Sequence, residues 1–207
     1  HIDGPLYYER LGRTGPVIAF IHPNPMDQSC WMYQTAHLST WYRCIAIDIP
    51  GYGRSPTAQD GLTTADMAQA CWEAIDEALP GEDAILVGCS VGSQVAPYMY
   101  HHRPDRTAAL VLAGAGYNPG KEFAQKRIDA YTKYGIEYRW AYTFEDFSPG
   151  FRPGPMAHYF ADLFAARNES ADLDTIIRQF KALQQPERDG HYEEINCPTV
   201  ILTGSED

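Results

Sequence analysis

The sequence has no basic cluster, no long apolar run and no regular cysteine spacing, and each absence removes a class of function. Lys and Arg number 16 against 27 Asp and Glu, a formal net charge of -11, and the cations nowhere gather. Binding to a phosphate backbone relies on a basic stripe, so nucleic acid is not an expected partner. No apolar run approaches the roughly eighteen residues of a membrane span, so a membrane is not expected either. The five cysteines, at 30, 44, 71, 89 and 197, include no pair at zinc-site spacing. An odd, irregular set in a chain of this size reads as free thiols in a reducing, cytoplasmic compartment. No signal peptide is visible in a sequence that begins at His1 rather than Met. What is present is ordinary: 44% hydrophobic and 21% charged residues over 207 positions, enough for one compact domain with a modest insertion.

The first half alternates short apolar runs with helical patterns, the signature of a mostly parallel sheet with crossover helices. Leu6 to Leu11 reads as an early strand turned by Gly12 to Gly15. Val17 to Ile21 and Cys44 to Asp48 are continuous apolar runs, as in strands buried on both faces. A helix follows from about Thr64, with Thr63 and Asp66 as its capping pair and Met67, Ala70, Cys71, Ala74, Ile75 and Ala78 as its inner stripe. The strand Ala84 to Val87, a helix from Val91 to His102 and the strand Ala108 to Leu112 complete this part.

After Gly116 the periodicity turns helical. Residues 1–116 read as the first part of an α/β core, 117–187 as a helical cap and 188–207 as the second part of the core. Within the cap, helices are expected over Lys121 to Tyr134, around Met156 to Phe164, and from a Ser170 cap through Leu173 to Leu183. A turn-rich stretch separates the first two. The cap is expected to be a movable lid over the sheet.

Gly88-Cys-Ser-Val-Gly92 lies between a buried strand and a helix. A Ser on such a turn is held in a strained backbone conformation, so small residues are required two before and two after it. Ser90 is therefore the candidate nucleophile. In His22-Pro-Asn-Pro25 the prolines have no N–H to give, which leaves the backbone of Asn24 as a candidate oxyanion donor beside that of Val91. His22 is expected to anchor backbone. Asp207 follows the late strand Pro198 to Thr203 and is the candidate for orienting a catalytic His, with Glu206 the neighbouring carboxylate. Histidine is the difficulty, because all seven precede Asp207. His101 and His102 lie roughly 16–18 Å along the helix from Ser90 at 1.5 Å per residue. Cys89 is expected to be a small buried neighbour. Some of the cap's aromatics, Tyr138, Trp140, Tyr142, Phe144, Phe147 and Phe151, are expected to line a pocket for an apolar or aromatic acyl group.

Taken in order, His22-Pro-Asn-Pro25, Asp48-Ile-Pro-Gly-Tyr-Gly-Arg-Ser55, Gly88-Cys-Ser-Val-Gly92 and Gly204-Ser-Glu-Asp207 resemble the α/β-hydrolase superfamily. The resemblance implies an eight-stranded, mostly parallel sheet with a helical cap after the sixth strand. It also implies Ser90 as nucleophile, Asp207 as triad acid and the N–H groups of Asn24 and Val91 as oxyanion hole. The cap is similar to that of enol-lactonase and related small-cap esterases. Pro23 stands where the family usually has Gly. The family's last strand, last helix and catalytic His have no counterpart here, so the native protein is expected to continue beyond Asp207, and this chain alone is expected to be inactive. The loop at His22 is also similar to that of haloalkane dehalogenases, which use a carboxylate where this chain has Ser90. The expected function is hydrolysis of a small-molecule ester or lactone through an acyl-enzyme, with no metal and no cofactor. Cleavage of a carbon–carbon bond beside a ketone, or ligand binding without turnover, are the other readings.

Overall fold

A computed structural model of the chain describes residues 2–114, 120–167, 171–187 and 189–205. Its centre is a six-stranded sheet: β1 (Tyr8–Leu11), β2 (Val17–Ile21), β3 (Arg43–Ile47), β4 (Ala84–Cys89), β5 (Thr107–Ala113) and β6 (Thr199–Leu202). The order across the sheet is β1-β3-β2-β4-β5-β6. β1 runs antiparallel to β3, and the other pairs are parallel. The continuous apolar run of β2 is explained by its position: Val17, Ala19 and Ile21 join the main core, while Ile18 and Phe20 join a smaller one on the opposite face.

α2 (Thr64–Ala78) and α3 (Val91–His102) form the layer over the main core. α2 starts at the expected capping box, in which Thr63 Oγ1 accepts the N–H of Asp66 at 3.0 Å and Asp66 Oδ2 accepts that of Thr63 at 2.9 Å. Its inner stripe is as read from the sequence, with Thr64, Ala68 and Trp72 added. The indole of Trp72 is fully buried and donates to the carbonyl of Met99 on α3 at 2.8 Å. A short 3-10 turn (Gln28–Trp31) and α1 (Met32–Leu38) cover the smaller core.

Between β5 and β6 the described chain is helical: α4 (Gly120–Tyr134), α5 (Tyr138–Glu145), α6 (Pro155–Arg167) and α7 (Leu173–Leu183). Two expectations need correction. α5 lies in the stretch read as turn-rich, because its aromatics alternate along the chain. On a helix they resolve into two pairs four residues apart: Tyr138 with Tyr142, which are buried, and Trp140 stacked on Phe144 at 4.9 Å. The N-cap of α7 is Asp172, whose carboxylate accepts the N–H of Thr175 at 2.8 Å. Ser170, the expected cap, lies outside the described residues. β6 is exposed along its length, with Val200, Ile201 and Leu202 retaining 52%, 66% and 52% of their surface.

Candidate active site

Ser90 joins β4 to α3 and is the residue at which the strand turns into the helix. Its backbone sits at φ 50°, ψ -113°, the one positive φ outside glycine among the described residues. A non-glycine residue held in such a region costs about 1–3 kcal/mol and persists only when its surroundings over-determine it. The surroundings here are backbone. A Cβ at Gly88 would lie 2.2 Å from the carbonyl oxygen of Gly92, and a Cβ at Gly92 would lie 2.2 Å from that of Ile21. The N–H of Ser90 donates to Ala113 on β5 at 2.9 Å. Its hydroxyl makes no capping bond to the helix that it opens. The N–H groups of Val91 and Gly92 belong to the first turn, which an α-helix leaves without internal acceptors and where partial positive charge accumulates.

The close approach at Gly92 also brings the first turn of α3 against the end of β2 and the loop at His22. That loop is fixed from inside. His22 is fully buried; its Nε2 accepts the N–H of Ile49 at 3.0 Å. The proton must then sit on Nδ1, which donates to the carbonyl of Pro23 at 2.9 Å. Burial lowers the imidazole's pKa from 6.5 to about 4, so the ring is neutral. The expected anchoring role of His22 is thus present. Asn24 is 3% exposed and its side chain faces away from solvent: Nδ2 donates to the hydroxyl of Tyr131 at 3.1 Å, and Oδ1 accepts from the hydroxyl of Tyr52.

The Asp48 to Ser55 segment closes the loop layer. Asp48 accepts the N–H groups of Gln28 at 2.7 Å and Arg54 at 2.9 Å. Burial pushes its carboxyl up to about 6 against those two bonds. Ser55 Oγ donates to the carbonyl of Asp48 at 2.6 Å and accepts the N–H of Tyr7 at 2.8 Å. α7 grips this segment and Ala58 just beyond it: Asp172 N–H to Gly51 O at 2.8 Å, Gln179 Nε2 to Pro50 O, and Ala58 N–H to Thr175 Oγ1 at 3.1 Å. Gly51 has no room for a side chain, since a Cβ there would lie 2.7 Å from Thr175.

The sequence profile described as "Alpha/beta hydrolase family" matches residues 18–207. The chain belongs to the alpha/beta hydrolase family. It is 30% identical over 111 residues to a haloalkane dehalogenase of Mesorhizobium japonicum, covering 54% of this chain and 36% of that protein. It is 25% identical over 179 residues to a pimeloyl-[acyl-carrier protein] methyl ester esterase of Vibrio vulnificus, covering 86% of this chain and 56% of the esterase. The chain therefore spans about a third to a little over half the length of these curated relatives. In three dimensions it superposes on the enol-lactonase from Burkholderia xenovorans LB400 with a TM-score of 0.83 at 18% identity, over 99% of this chain and 80% of the lactonase. At that identity the likeness is one of fold.

In this alpha/beta hydrolase chain the structure brings Ser90, Val91 and the Asn24 loop to one end of the sheet. Asp207 lies outside the described residues. Each histidine other than His1 has partners elsewhere. His37 packs on Trp41, His102 Nε2 contacts the carbonyl of Ala65 at 3.2 Å, and His158 lies against Trp140 and Phe144. His101 Nε2 contacts the carbonyl of His191 at 2.6 Å, and the buried His191 ring packs on Tyr98 at 4.4 Å. All five cysteines are free thiols, and Cys89 is half-buried rather than fully buried as expected. Among the described residues, no group of three or more His, Cys, Asp or Glu is arranged to hold a metal ion, and no helix is long and apolar enough to cross a membrane.

The residues that sequence reasoning missed are the partners of Asn24 and of the Asp48 segment. Tyr131 follows Ala124 and Ile128 on the buried stripe of α4. A tyrosine in such a stripe needs a partner for its hydroxyl, and that signal could have found it. Thr175 and Gln179 are polar residues on the buried face of α7, a comparable cue.

Proposed function

We propose that Ser90 is the nucleophile of a hydrolase that cleaves a carboxylic ester or lactone through an acyl-enzyme. The observation that carries this reading is the strained turn at Ser90, held between two glycines that cannot bear a methyl group. Such strain is expected where a side chain must be presented to a reaction. In the proposed reaction Ser90 Oγ attacks the carbonyl carbon while a base takes its proton. The carbonyl oxygen becomes an oxyanion and accepts the N–H groups of Val91 and Asn24. Collapse expels the alcohol and leaves an acyl group on Ser90, which water then removes. Each oxyanion donor is worth roughly 100- to 1,000-fold in rate.

Asp207 is the proposed acid, orienting the histidine that takes the proton from Ser90, as in the family pattern. The segment 117–187 is proposed as the lid that shapes the acyl pocket with its aromatic side chains, selecting an apolar or aromatic small molecule. The names of the esterase and lactonase relatives are consistent with this substrate class, and a serine at position 90 argues against the carboxylate chemistry of a dehalogenase. The test is covalent labelling of the native protein with an organophosphonate, followed by turnover of a panel of aryl esters and lactones. The probe should attach to Ser90, and Ser90→Ala should abolish both labelling and turnover. A folded protein that labels at another residue, or not at all, would sink the assignment.

One observation favours a second reading: the hydrogen bonds and ring contacts seen for the described histidines are with residues other than Ser90. On that reading the fold is a ligand-binding module. It predicts binding of an ester with no phosphonate adduct, so the same experiment separates the two. A ketone panel run beside the esters separates carbon–carbon cleavage by the same machinery.

A further inference from the structure

We propose that Tyr131 is a positioning residue for the oxyanion loop, acting through the side chain of Asn24; the proposal rests on the reading of Ser90 as nucleophile. Asn24 brings two polar groups to the site, its backbone N–H and its carboxamide. The carboxamide is spoken for: Nδ2 donates to Tyr131 at 3.1 Å and Oδ1 accepts from Tyr52. All three residues are buried, with Tyr52 and Tyr131 at 0% exposure. Turning the carboxamide toward a substrate would leave these buried groups unpaired, at about 1–3 kcal/mol each. The side chain is therefore a handle by which two phenols hold the loop, and the backbone N–H is the group left for the reaction.

The two phenols come from different parts of the fold. Tyr52 belongs to the Asp48 to Ser55 segment of the core, and Tyr131 to α4 in the insertion. Tyr131 is itself fixed on several sides. It meets Tyr138 edge-on at 5.3 Å, stacks at a 30° tilt on Phe180 of α7 at 6.1 Å and flanks Tyr142 at 6.2 Å. α7 in turn is tied to Gly51, Pro50 and Ala58. Burial raises the pKa of both phenols above the ordinary tyrosine value, so both keep their protons for hydrogen bonding. The insertion thus does more than roof the site. Its first helix supplies half of the grip that aims a catalytic N–H, so a seated α4 and a formed oxyanion hole are one event. Misplacing a donor by about 1 Å is enough to cost on the order of 100-fold.

Tyr131→Phe isolates the claim, because it keeps the ring contacts and removes a single oxygen. Aryl-ester kinetics and the rate of phosphonate attack on Ser90 would be measured in the native protein, Tyr131→Phe, Asn24→Ala and the double variant. Thermal melts of each would confirm the fold, and Tyr134→Phe on the exposed face of α4 would serve as control. Tyr131→Phe should lower kcat about tenfold or more with KM within about twofold, and should slow phosphonate attack by the same factor. In the Asn24→Ala background it should add nothing, since the handle is already gone. Native kcat in Tyr131→Phe, or an undiminished loss on top of Asn24→Ala, would overturn the proposal while leaving Ser90 as nucleophile. No labelling of Ser90 in the native protein would overturn both.

Discussion

The turn at Ser90 and the helical insertion between β5 and β6 are held in place by different means. At the turn, backbone meets backbone: Gly88 against Gly92, Gly92 against Ile21, and Ser90 N–H on Ala113. In the insertion, side chains do most of the holding, with Asp172 N–H on the Gly51 carbonyl a backbone exception. Arg127 is a clear case: its guanidinium lies 3.7 Å over the ring of Tyr142 and pairs with Asp146 at 2.8 Å. Backbone contacts have no rotamers with which to relax, so the turn should fail all at once. Side-chain contacts can be lost singly, so the insertion should weaken by degrees.

The largest effect is expected from a methyl group placed at the turn. Gly92→Ala would put a Cβ 2.2 Å from the carbonyl oxygen of Ile21, where neither strand nor helix can give way. A loss of more than about 4 kcal/mol is expected, with little folded protein recovered. Gly150→Ala, in the loop before α6, meets nothing within 4 Å and has no positive φ to strain. Its cost should stay within about 0.5 kcal/mol. Urea unfolding of the two variants measures the contrast. Similar midpoints would break it.

Acid offers a second contrast, between a buried base that refuses a proton and a buried acid that takes one up early. His22 in the folded chain titrates near 4 against 6.5 when free, because burial excludes the imidazolium. Its contribution is whole above pH 6.5. As pH falls from 6.5 toward 4, the unfolded chain takes up a proton that the folded chain refuses, and stability is lost, by up to about 3 kcal/mol. Asp48 has the opposite sign: burial raises its folded pKa from 3.8 to about 6, so the folded chain takes the proton first and gains as pH falls through that window. The two shifts nearly cancel in the native protein. Removing one should expose the other. Asp48→Asn should therefore lose stability more steeply than the native protein between pH 6.5 and 4, by about 2–3 kcal/mol over the window. Parallel pH profiles from urea unfolding would show that the Asp48 carboxyl takes up its proton at the same pH folded as unfolded, and the opposition between the two groups would fall.

The same division explains what could be read from the sequence. The turn at Ser90 is written locally: a buried strand, two glycines and a helix are contiguous from Ala84 to His102, and backbone sterics leave few alternatives. β2 and β3 were equally plain, since a strand covered on both faces needs an unbroken apolar run. The insertion was legible as helices and illegible as contacts. α5 was missed because its aromatics point in two directions, which blurs a single stripe. Ser170 reads as well as Asp172 for the cap of α7, because Ser and Asp are both good caps and the Gly51 carbonyl that holds Asp172 is 121 positions away in the chain. The grip of Tyr52 and Tyr131 on Asn24 joins positions 24, 52 and 131. No local pattern reports a bond of that span.

The most local expected effect tests whether the insertion can be loosened without touching the turn. Asp172 opens α7 with a side-chain bond to Thr175 N–H at 2.8 Å, while its own backbone N–H holds the carbonyl of Gly51. Asp172→Ala removes the first bond and keeps the second. An N-cap of this kind is worth about 1 kcal/mol. If the insertion is held by separable side-chain contacts, that loss should appear locally, as about fivefold faster amide exchange across Leu173–Leu183. α3, whose first turn is fixed by glycine against backbone, should exchange at its native rate. The contacts between α7 and the core argue against perfect independence, because Gln179 and Thr175 reach Pro50 and Ala58. The Gln179 bond sits about two turns beyond the cap, however, and survives fraying of the first turn, in which Thr175 lies. Equal acceleration in α3 and α7 would mean that the two regions open as one unit, and the distinction between them would fall.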